Sequence, residues 1–216
     1  MDLPCRTAAP RESLRERRRR ETRDELHAAA LRLSRELGFE QVTVEMISEE
    51  AGVSPRTFFN YFPSKESALL IWSASFTPEA RARFLAAPAR DTRSVLEDVG
   101  ELFASYLEAS PPRRDEVEEV FRIAERTPSV LAAVLAGFDA LERELWALVA
   151  ERTGRGTGDR TADLVAGVSM AAVRVAMRRW AQDHGCEQAA PEFVRESFAL
   201  LKDLTSPLEE AATASS

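Results

Sequence analysis

The chain has 216 residues, which is enough for one large domain or for a small domain followed by a medium one. Hydrophobic residues make up 44% of the chain and charged residues 30%, and no apolar run reaches membrane-spanning length. No apolar run follows the N-terminal arginines either, so we expect a cytoplasmic protein without a secretory signal. The net charge of −7 would repel DNA, but the first 67 residues hold twelve basic and twelve acidic residues, so the acidic excess lies after them.

Cysteine and histidine are rare and isolated in this sequence. Cys5 and Cys186 lie at opposite ends of the chain, which supports neither a disulfide framework nor a cysteine-based metal site. No nucleophile, metal-ligand or phosphate-loop motif accompanies His27 or His184. We therefore expect no cofactor, no metal and no catalytic residues, and we interpret the chain as a protein that is not an enzyme.

The helical signals begin near the N-terminus. Apolar residues repeat at helical spacing and Gly38 follows at the stop position, which predicts a first helix from the arginine block to about Leu37. The repeat consists of Leu26, Ala30, Leu33 and Leu37. Proline follows serine or threonine repeatedly in the later sequence, a pattern typical of helix starts, and no segment alternates with period two for long. The fold class is therefore predicted to be all-α.

Two short helices are predicted next, separated by a tight turn. Thr43 caps a helix that runs to about Ala51, Gly52-Val53 forms the turn, and Ser54 caps a second helix that runs to about Phe62. This spacing places two helices at a steep angle, as a helix-turn-helix motif requires.

The second short helix has two different faces. Phe58 and Phe62 stand at i and i+4 and are expected to pack against the first helix. The opposite face carries four side chains that can hydrogen-bond a base edge or a phosphate, namely Arg56, Thr57, Asn60 and Tyr61. A helix of two turns is too short to be stable alone, so its apolar side must hold it while its polar side faces solvent. This arrangement suits the major groove of DNA.

This segment resembles the DNA-binding signature of the tetracycline-repressor (TetR) family over about residues 21–70. The resemblance rests on Thr43, the run Ala51-Gly52-Val53-Ser54, and Thr57, Phe58, Phe62 and Lys65. It implies that the DNA-contacting residues are Thr43, Ser54, Arg56, Thr57, Asn60, Tyr61 and Lys65. Within this set, Thr43 would cap its helix next to a phosphate and Lys65 would bind a backbone phosphate. Phe59 departs from the pattern, because many relatives have tyrosine there, and one polar contact is expected to be lost.

Two basic features have a second interpretation. The arginines at 17–20 are flanked by Glu16 and Glu21. They are either a solvated helix start or an auxiliary contact to phosphate or the minor groove. Lys65 follows Ser64, which is predicted to cap a longer helix, and it is either a surface lysine or a phosphate ligand. The helix macrodipole disfavours a cation in a first turn, which favours the phosphate interpretation.

The more acidic remainder of the chain is predicted to contain five further helices, for about nine in total. These lie at about residues 93–109, 113–126, 129–152, 159–183 and 191–204. The glycine-rich stretch 153–158 is expected to be a loop. We predict a helix-turn-helix domain at residues 12–66, a ligand-binding and dimerisation domain at 67–205, and flexible tails at 1–11 and 206–216.

The resemblance implies an apolar cavity in the second domain, reached by the helix that begins near Lys65. The predicted ligand-binding residues are Trp72, Phe76, Phe103, Tyr106, Phe121, Phe138, Met170 and Arg174. For each apolar residue, ordinary core packing is the alternative. Arg174 lies within an apolar run, so it is expected to be buried and to need an anion, either a carboxylate of the fold or partner subunit or an acidic ligand.

The last two predicted helices resemble the pair that forms a four-helix dimer interface in the TetR family. The run 174–180 and the block TFFNYFPSKE resemble a TetR subgroup with an acyl-CoA-like ligand-binding C-terminal domain, which includes mycofactocin-system regulators. The resemblance therefore implies a homodimeric repressor that binds a double-stranded, pseudo-palindromic operator and is released by a small hydrophobic or acyl-CoA-like effector. The alternative is a helical metabolite- or lipid-binding protein that does not read DNA specifically.

Overall fold

The structure is a computed structural model that describes residues 14–70, 75–88, 91–154 and 159–204, except for the side chain of Glu16. Within these ranges every regular element is helical, with ten α-helices and one 3₁₀ turn. The predicted all-α fold class is therefore confirmed. None of the described helices is both long and apolar enough to cross a membrane. The chain divides into two compact units after Leu70, and each unit is described by itself.

The first unit is a small bundle around the long first helix. Its helices are α1 (Leu14–Leu37), α2 (Val44–Glu50), α3 (Pro55–Phe59) and α4 (Lys65–Ala68), with the 3₁₀ turn at Phe39–Gln41. The core is built from Leu26, Ala29, Ala30, Leu31, Phe39, Val42, Ile47, Phe58, Phe62, Ala68 and Leu69. The predicted apolar repeat of α1 is buried only in part, because Leu37 is exposed. Gly38 ends α1 with a φ of 82°, a conformation that favours glycine.

Two helices of this unit are shorter than predicted. The helix expected to reach Phe62 ends at Phe59, because the amides of Asn60 and Tyr61 donate to the carbonyls of Thr57 and Phe58 and so tighten its last turn. The longer helix expected after Ser64 covers only Lys65–Ala68, and the amides of the next two residues again bond three residues back. Both predictions of length are therefore wrong, while the predicted caps Thr43, Ser54 and Ser64 are confirmed.

The described part of the second unit contains six helices. These are α5 (Pro78–Ala86), α6 (Thr92–Ala109), α7 (Arg114–Ala124), α8 (Pro128–Thr153), α9 (Arg160–Gln182) and α10 (Ala190–Leu204). The last five lie where the apolar periodicity predicts them. Helix α5 was not among the predicted segments, although Thr77 caps it by accepting a hydrogen bond from the Ala80 amide at 3.2 Å. The Thr77-Pro78 pair was the signal that marked it.

Helices α6, α8 and α9 supply most of the buried residues of the second unit. Helix α10 packs against both α6 and α9, and α9 also packs against α7 and α8. Polar contacts support these packed faces at the surface, where the Arg195 guanidinium of α10 donates to Glu101 and Glu108 of α6 at 2.6 to 3.1 Å. A surface groove lies between α7, α8 and α9, and it is described below.

Candidate nucleic-acid interface and ligand groove

The segment from α2 to α3 is shaped by two helix caps and a glycine turn. The Thr43 hydroxyl accepts a hydrogen bond from the Met46 amide at 3.2 Å, and the Ser54 hydroxyl accepts one from the Thr57 amide at 3.1 Å. Gly52, with a φ of 66°, lets the chain reverse between them, and the Val53 amide closes the turn on the Ser48 carbonyl at 2.9 Å. The two helices are thereby fixed in a helix-turn-helix arrangement.

Two phenylalanines anchor α3 to the unit. Phe58 is fully buried and Phe62 is 3% exposed, and their ring centroids lie 5.8 Å apart. Phe59, between them, is 57% exposed and meets the Phe58 ring edge to face at 5.5 Å. The short helix is therefore held by one apolar side, as its spacing predicts.

The opposite side of α3 is accessible. Ser54, Arg56 and Asn60 are exposed, and Thr57 and Tyr61 are half-buried. Thr43, at the start of α2, is exposed as well. No residue of this set is fully buried. We call the five accessible side chains on and beside α3 the reading face (Ser54, Arg56, Thr57, Asn60 and Tyr61).

Lys65 has partners within its own unit. Its ammonium group donates to the carbonyl of Val42 at 2.8 Å and to that of Phe39 at 3.1 Å, and it lies 4.5 Å from the centroid of the Phe39 ring. These contacts explain why a cation is tolerated in the first turn of α4. A bond from Lys65 to a DNA phosphate stays a prediction, and it would have to use the third N–H of the ammonium group.

A groove runs between the N-terminal part of α1 and α3. It encloses about 630 Å³. The residues that line it are Leu14, Arg15, Arg18, Arg19 and Thr22 of α1, Thr57 of α3, and Asn60 and Tyr61, which directly follow α3. In the sequence, the arginines at 17–20 form one block. In the structure, Arg17 does not line the groove, and its guanidinium pairs with the Glu21 carboxylate at 3.3 Å. The helical phase of α1 thus divides the block.

The predicted ligand-binding residues of the second unit fall into two sets. In the first, Phe76 lies edge to face with Phe103 and Tyr106, at centroid distances of 5.1 and 5.8 Å. These three rings are buried, and Met170 is fully buried on α9. Trp72 lies outside the described residues. The contacts within this first set are those of a packed core.

The second set meets in a groove of about 180 Å³ between α7, α8 and α9, which we call the α7–α9 groove. Phe121, Phe138 and Arg174 line it, together with Ala124, Glu125, Leu131, Val134, Leu135, Arg178 and Gln182. Sequence reasoning missed Arg178, although its spacing of four residues from Arg174 places both on one side of α9.

The expected burial of Arg174 is wrong for the single chain. Its side chain is exposed at the groove, and its guanidinium lies 5.9 Å from the centroid of the Phe138 ring. It forms no ion pair with a carboxylate among the described residues. The apolar run around it misled the prediction, because α9 has outward-facing positions that this single chain does not cover.

Large apolar side chains are exposed on each of the last two helices, and we call these four residues the apolar surface of α9 and α10. Leu164 and Val175 of α9 are 66% and 53% exposed, and Leu200 and Leu204 of α10 are 55% and 83% exposed. Large exposed apolar side chains gathered on neighbouring helices mark an interaction surface. These are the helices that the sequence assigned to dimerisation.

Two family models match the chain. The model described as bacterial regulatory proteins of the tetR family matches residues 26–70, and the model of the MftR C-terminal domain matches residues 80–205. Each match lies within one of the two units.

Related proteins match over most of their length. The HTH-type transcriptional regulator TcmR of Streptomyces glaucescens is 34% identical over 190 residues, which cover 83% of this chain and 82% of TcmR. The crystal structure of the TetR-family repressor FadR of Thermus thermophilus, solved in complex with lauroyl-CoA, is 25% identical with a TM-score of 0.50, and the match covers 88% of this chain and 98% of that one. The fatty acid degradation regulator FadR of Bacillus halodurans, at 18% identity, has the same fold, with a TM-score of 0.51 over 83% of this chain and 94% of that one.

Proposed function

The chain belongs to the TetR family of bacterial regulatory proteins and is a transcriptional regulator, and we propose that it is a dimeric repressor that an amphipathic anion releases from its operator. The observation that carries the proposal is the reading face, which leaves Asn60 and Arg56 exposed while Phe58 holds α3 from behind. We assign DNA binding to residues 12–66 and ligand binding and dimerisation to residues 67–205.

Each residue of the reading face has a chemical role in this proposal. Asn60 can pair bidentately with adenine and Arg56 with guanine, while Thr57 and Tyr61 donate to phosphates or base edges. Ser54 and Thr43 stand at helix N-termini, where backbone amides attract phosphate. Two-fold symmetry of the dimer then requires a pseudo-palindromic operator with half-sites about 34–36 Å apart, or a multiple of that spacing.

The α7–α9 groove supports the proposed effector class. Its floor is apolar and aromatic through Phe121 and Phe138, and two guanidinium groups, those of Arg174 and Arg178, stand along it. A fatty acyl group with an anionic head would place its chain on this floor and its charge beside the arginines. The groove of about 180 Å³ is smaller than the roughly 300–1,000 Å³ of drug-sized pockets, so we expect it to hold one end of the effector.

The mechanism we propose is a two-state linkage. In one state of the dimer the two reading faces fit adjacent half-sites, and in the other they are wrongly spaced. An effector that binds the second state more tightly weakens operator binding, by at most the ratio of its affinities for the two states, and repression ends. A helical metabolite-binding protein without DNA reading is not supported, because the relative at 34% identity is an HTH-type transcriptional regulator and the reading face is open.

Substitution of the reading face tests the DNA assignment. Asn60→Ala should weaken binding to a duplex selected from a random-sequence library by roughly 5- to 150-fold, which corresponds to about 1–3 kcal/mol for a lost bidentate contact. The thermal unfolding temperature should not change, because the side chain is exposed. Equal affinity of the variant and the wild type for the selected duplex would refute the assignment.

The effector assignment needs a different experiment. Lauroyl-CoA, laurate and dodecanol are titrated into the protein–DNA complex, and fluorescence anisotropy reports release. The two anions should release DNA and the neutral alcohol should not, and Arg174→Ala should raise the concentration of lauroyl-CoA that is needed. If dodecanol acts as strongly as laurate, the arginines do not recognise the effector.

A further inference from the structure

The basic face of α1 beside the reading face has no role in the function proposed so far. We propose that Arg15, Arg18 and Arg19 bind the phosphate backbone of the operator next to the groove that α3 enters. Helices α1 and α3 would then form one continuous DNA-contacting surface. This inference rests on the proposed DNA-binding function.

The helical spacing of α1 brings these side chains to one side. Positions 15, 18, 19 and 22 follow an i, i+3, i+4, i+7 pattern, which places them along a single face of the helix. The opposite wall of the same groove is formed by Thr57 of α3 and by Asn60 and Tyr61, which directly follow that helix. A nucleic-acid strand that touches these residues of the reading face therefore passes directly beside the arginines.

The charged side chains in the described lining of this groove are all positive. Its described lining includes three guanidinium groups and no carboxylate. Arg15 and Arg18 are exposed and form no ion pair within the described part of the chain, whereas Arg17 is paired with Glu21. Residues at i, i+3 and i, i+4 spacing are neighbours on a helix surface, so the like charges of Arg15, Arg18 and Arg19 repel each other, and an anion would relieve that repulsion.

Aromatic contacts hold part of this cationic face next to α3. The guanidinium carbon of Arg19 lies 6.0 Å from the centroid of the Tyr61 ring, and that of Arg23 lies 5.5 Å from the Phe62 ring. A guanidinium that lies over an aromatic face keeps N–H groups at its edges available for a bidentate anion. Arg19 is therefore positioned at the wall of the groove with donors still available, and a phosphate matches their fork geometry.

The size of the groove is consistent with a strand of backbone. At about 630 Å³ it falls within the roughly 300–1,000 Å³ of ligand-sized clefts, and it is an open channel between two helices. Phosphate contacts position a protein on the duplex without reading sequence. The arginines should therefore raise affinity for all duplexes alike, while the reading face supplies the preference for one sequence.

The test measures the salt dependence of DNA binding by the full chain. Two probes are used, the duplex that the wild-type protein enriches from a random-sequence library and a random-sequence duplex of the same length. The double variant Arg15→Ala/Arg18→Ala is compared with Arg17→Ala, which removes a neighbouring arginine that does not line the groove. A second double variant, Arg15→Lys/Arg18→Lys, restores the charge.

The expected result is a smaller salt slope for the groove variant. The slope of log K against log salt is negative, and each lost phosphate contact makes it less steep by about 0.9. The slope of the double alanine variant should therefore be less steep by about 1.8, on both probes alike. Its affinity deficit should be greater at 50 mM salt than at 200 mM, by roughly three- to fourfold for each lost contact. Arg17→Ala should change the slope by less than about 0.5, and the lysine variant should recover most of the loss.

Three results would overturn the proposal. The first is an unchanged slope for Arg15→Ala/Arg18→Ala in a variant whose circular dichroism matches the wild type. The second is a deficit confined to the selected duplex, which would mean base reading. The third is a wild-type protein that enriches no duplex, which would refute the DNA-binding function as well. If Asn60→Ala abolishes selective binding and the arginine variants keep the wild-type slope, only the present inference fails.

Discussion

Gly100 of α6 lies directly against Phe198 of α10, so closely that a β-carbon built on the glycine would stand 2.8 Å from Cγ and 2.9 Å from Cβ of the phenylalanine. Cβ and Cγ of Phe198 are held close to the backbone of their own residue, so they cannot move aside as the tip of a long side chain can. The close approach of α6 and α10 therefore depends on the absence of a side chain at Gly100. This contact lies in the unit that carries the α7–α9 groove and the exposed apolar surface of α9 and α10.

Gly100→Ala should lower the stability of the second unit. Alanine gains about 1 kcal/mol of helix propensity over glycine, but overpacking a filled core costs about 1–3 kcal/mol, so we expect a net loss of up to about 2 kcal/mol. At this chain length that loss lowers the unfolding temperature by roughly 2–4 °C per kcal/mol. Thermal unfolding followed by circular dichroism measures it.

Gly167→Ala on α9 is the matched control for this substitution. A β-carbon there would meet only the Glu142 carboxylate oxygen, at the ordinary contact distance of 3.6 Å. The control should therefore keep or raise the unfolding temperature. Equal increases for Gly100→Ala and Gly167→Ala would show that the contact with Phe198 does not limit the packing of α6 against α10.

The pair between Glu101 and Arg195 should make stability depend on pH. Hydrogen bonds from the Arg195 guanidinium hold the pKa of Glu101 below its ordinary value of 4.5, against a smaller opposing effect of burial. A lowered folded-state pKa adds stability that is present above the ordinary value and is lost as the pH falls through the folded-state pKa. Both side chains are more than one third exposed, so the contribution near neutral pH should be only about 0.5–1 kcal/mol.

Urea unfolding of Glu101→Gln and the wild type measures this contribution. The difference in the free energy of unfolding should be greatest near about pH 7 and should shrink as the pH falls below the ordinary glutamate value. Glu187→Gln removes an exposed carboxylate with no hydrogen bond or ion pair in the described part of the chain, and it should show a smaller difference. A Glu101→Gln deficit that stays constant from neutral to acidic pH would contradict the assigned cause.

Much of the first unit could be predicted from local sequence. The caps Thr43 and Ser54 and the Gly52 turn act within four residues of their partners, so their residue types and spacing are sufficient signals. The two faces of α3 follow from Phe58 and Phe62 four residues apart. Local patterns of this kind could also have identified α5, which begins at Thr77-Pro78 as α3 begins at Ser54-Pro55 and α8 at Thr127-Pro128.

Other features depend on contacts between distant residues, which no local pattern reveals. Lys65 bonds to carbonyls 23 and 26 residues away, so its role in the fold could not be seen in its own segment. The separation of Arg17 from Arg18 depends on the rotation of α1 against α3. The exposure of Arg174 was mispredicted because an apolar helix face in a single chain can be covered by a neighbouring helix or by a second copy of the protein.

Lys65→Met should have two separable effects. It removes the ammonium group that donates to the Phe39 and Val42 carbonyls. The Phe39 carbonyl still accepts from the Val42 amide, but the Val42 carbonyl loses the Lys65 donor, which should destabilise the first unit by about 1–3 kcal/mol in chemical unfolding. If the ammonium group also contacts phosphate, the salt slope of DNA binding falls by about 0.9 under conditions where the variant is folded. Lost stability with an unchanged slope would restrict Lys65 to a structural role and refute the predicted phosphate contact.

Charge on the apolar surface of α9 and α10 should break the dimer. In the proposed dimer, Leu164 and Leu200 become buried in both copies, and burying a leucine contributes about 1.5–3 kcal/mol. Leu164→Lys/Leu200→Lys should therefore sediment as a monomer and bind a single half-site, with much weaker affinity for the selected duplex. The variant should stay folded, because both side chains are exposed in the single chain. Leu37→Lys introduces the same change at an exposed leucine of α1 and should leave the dimer intact. A double variant that sediments as the wild-type dimer would place the subunit interface elsewhere.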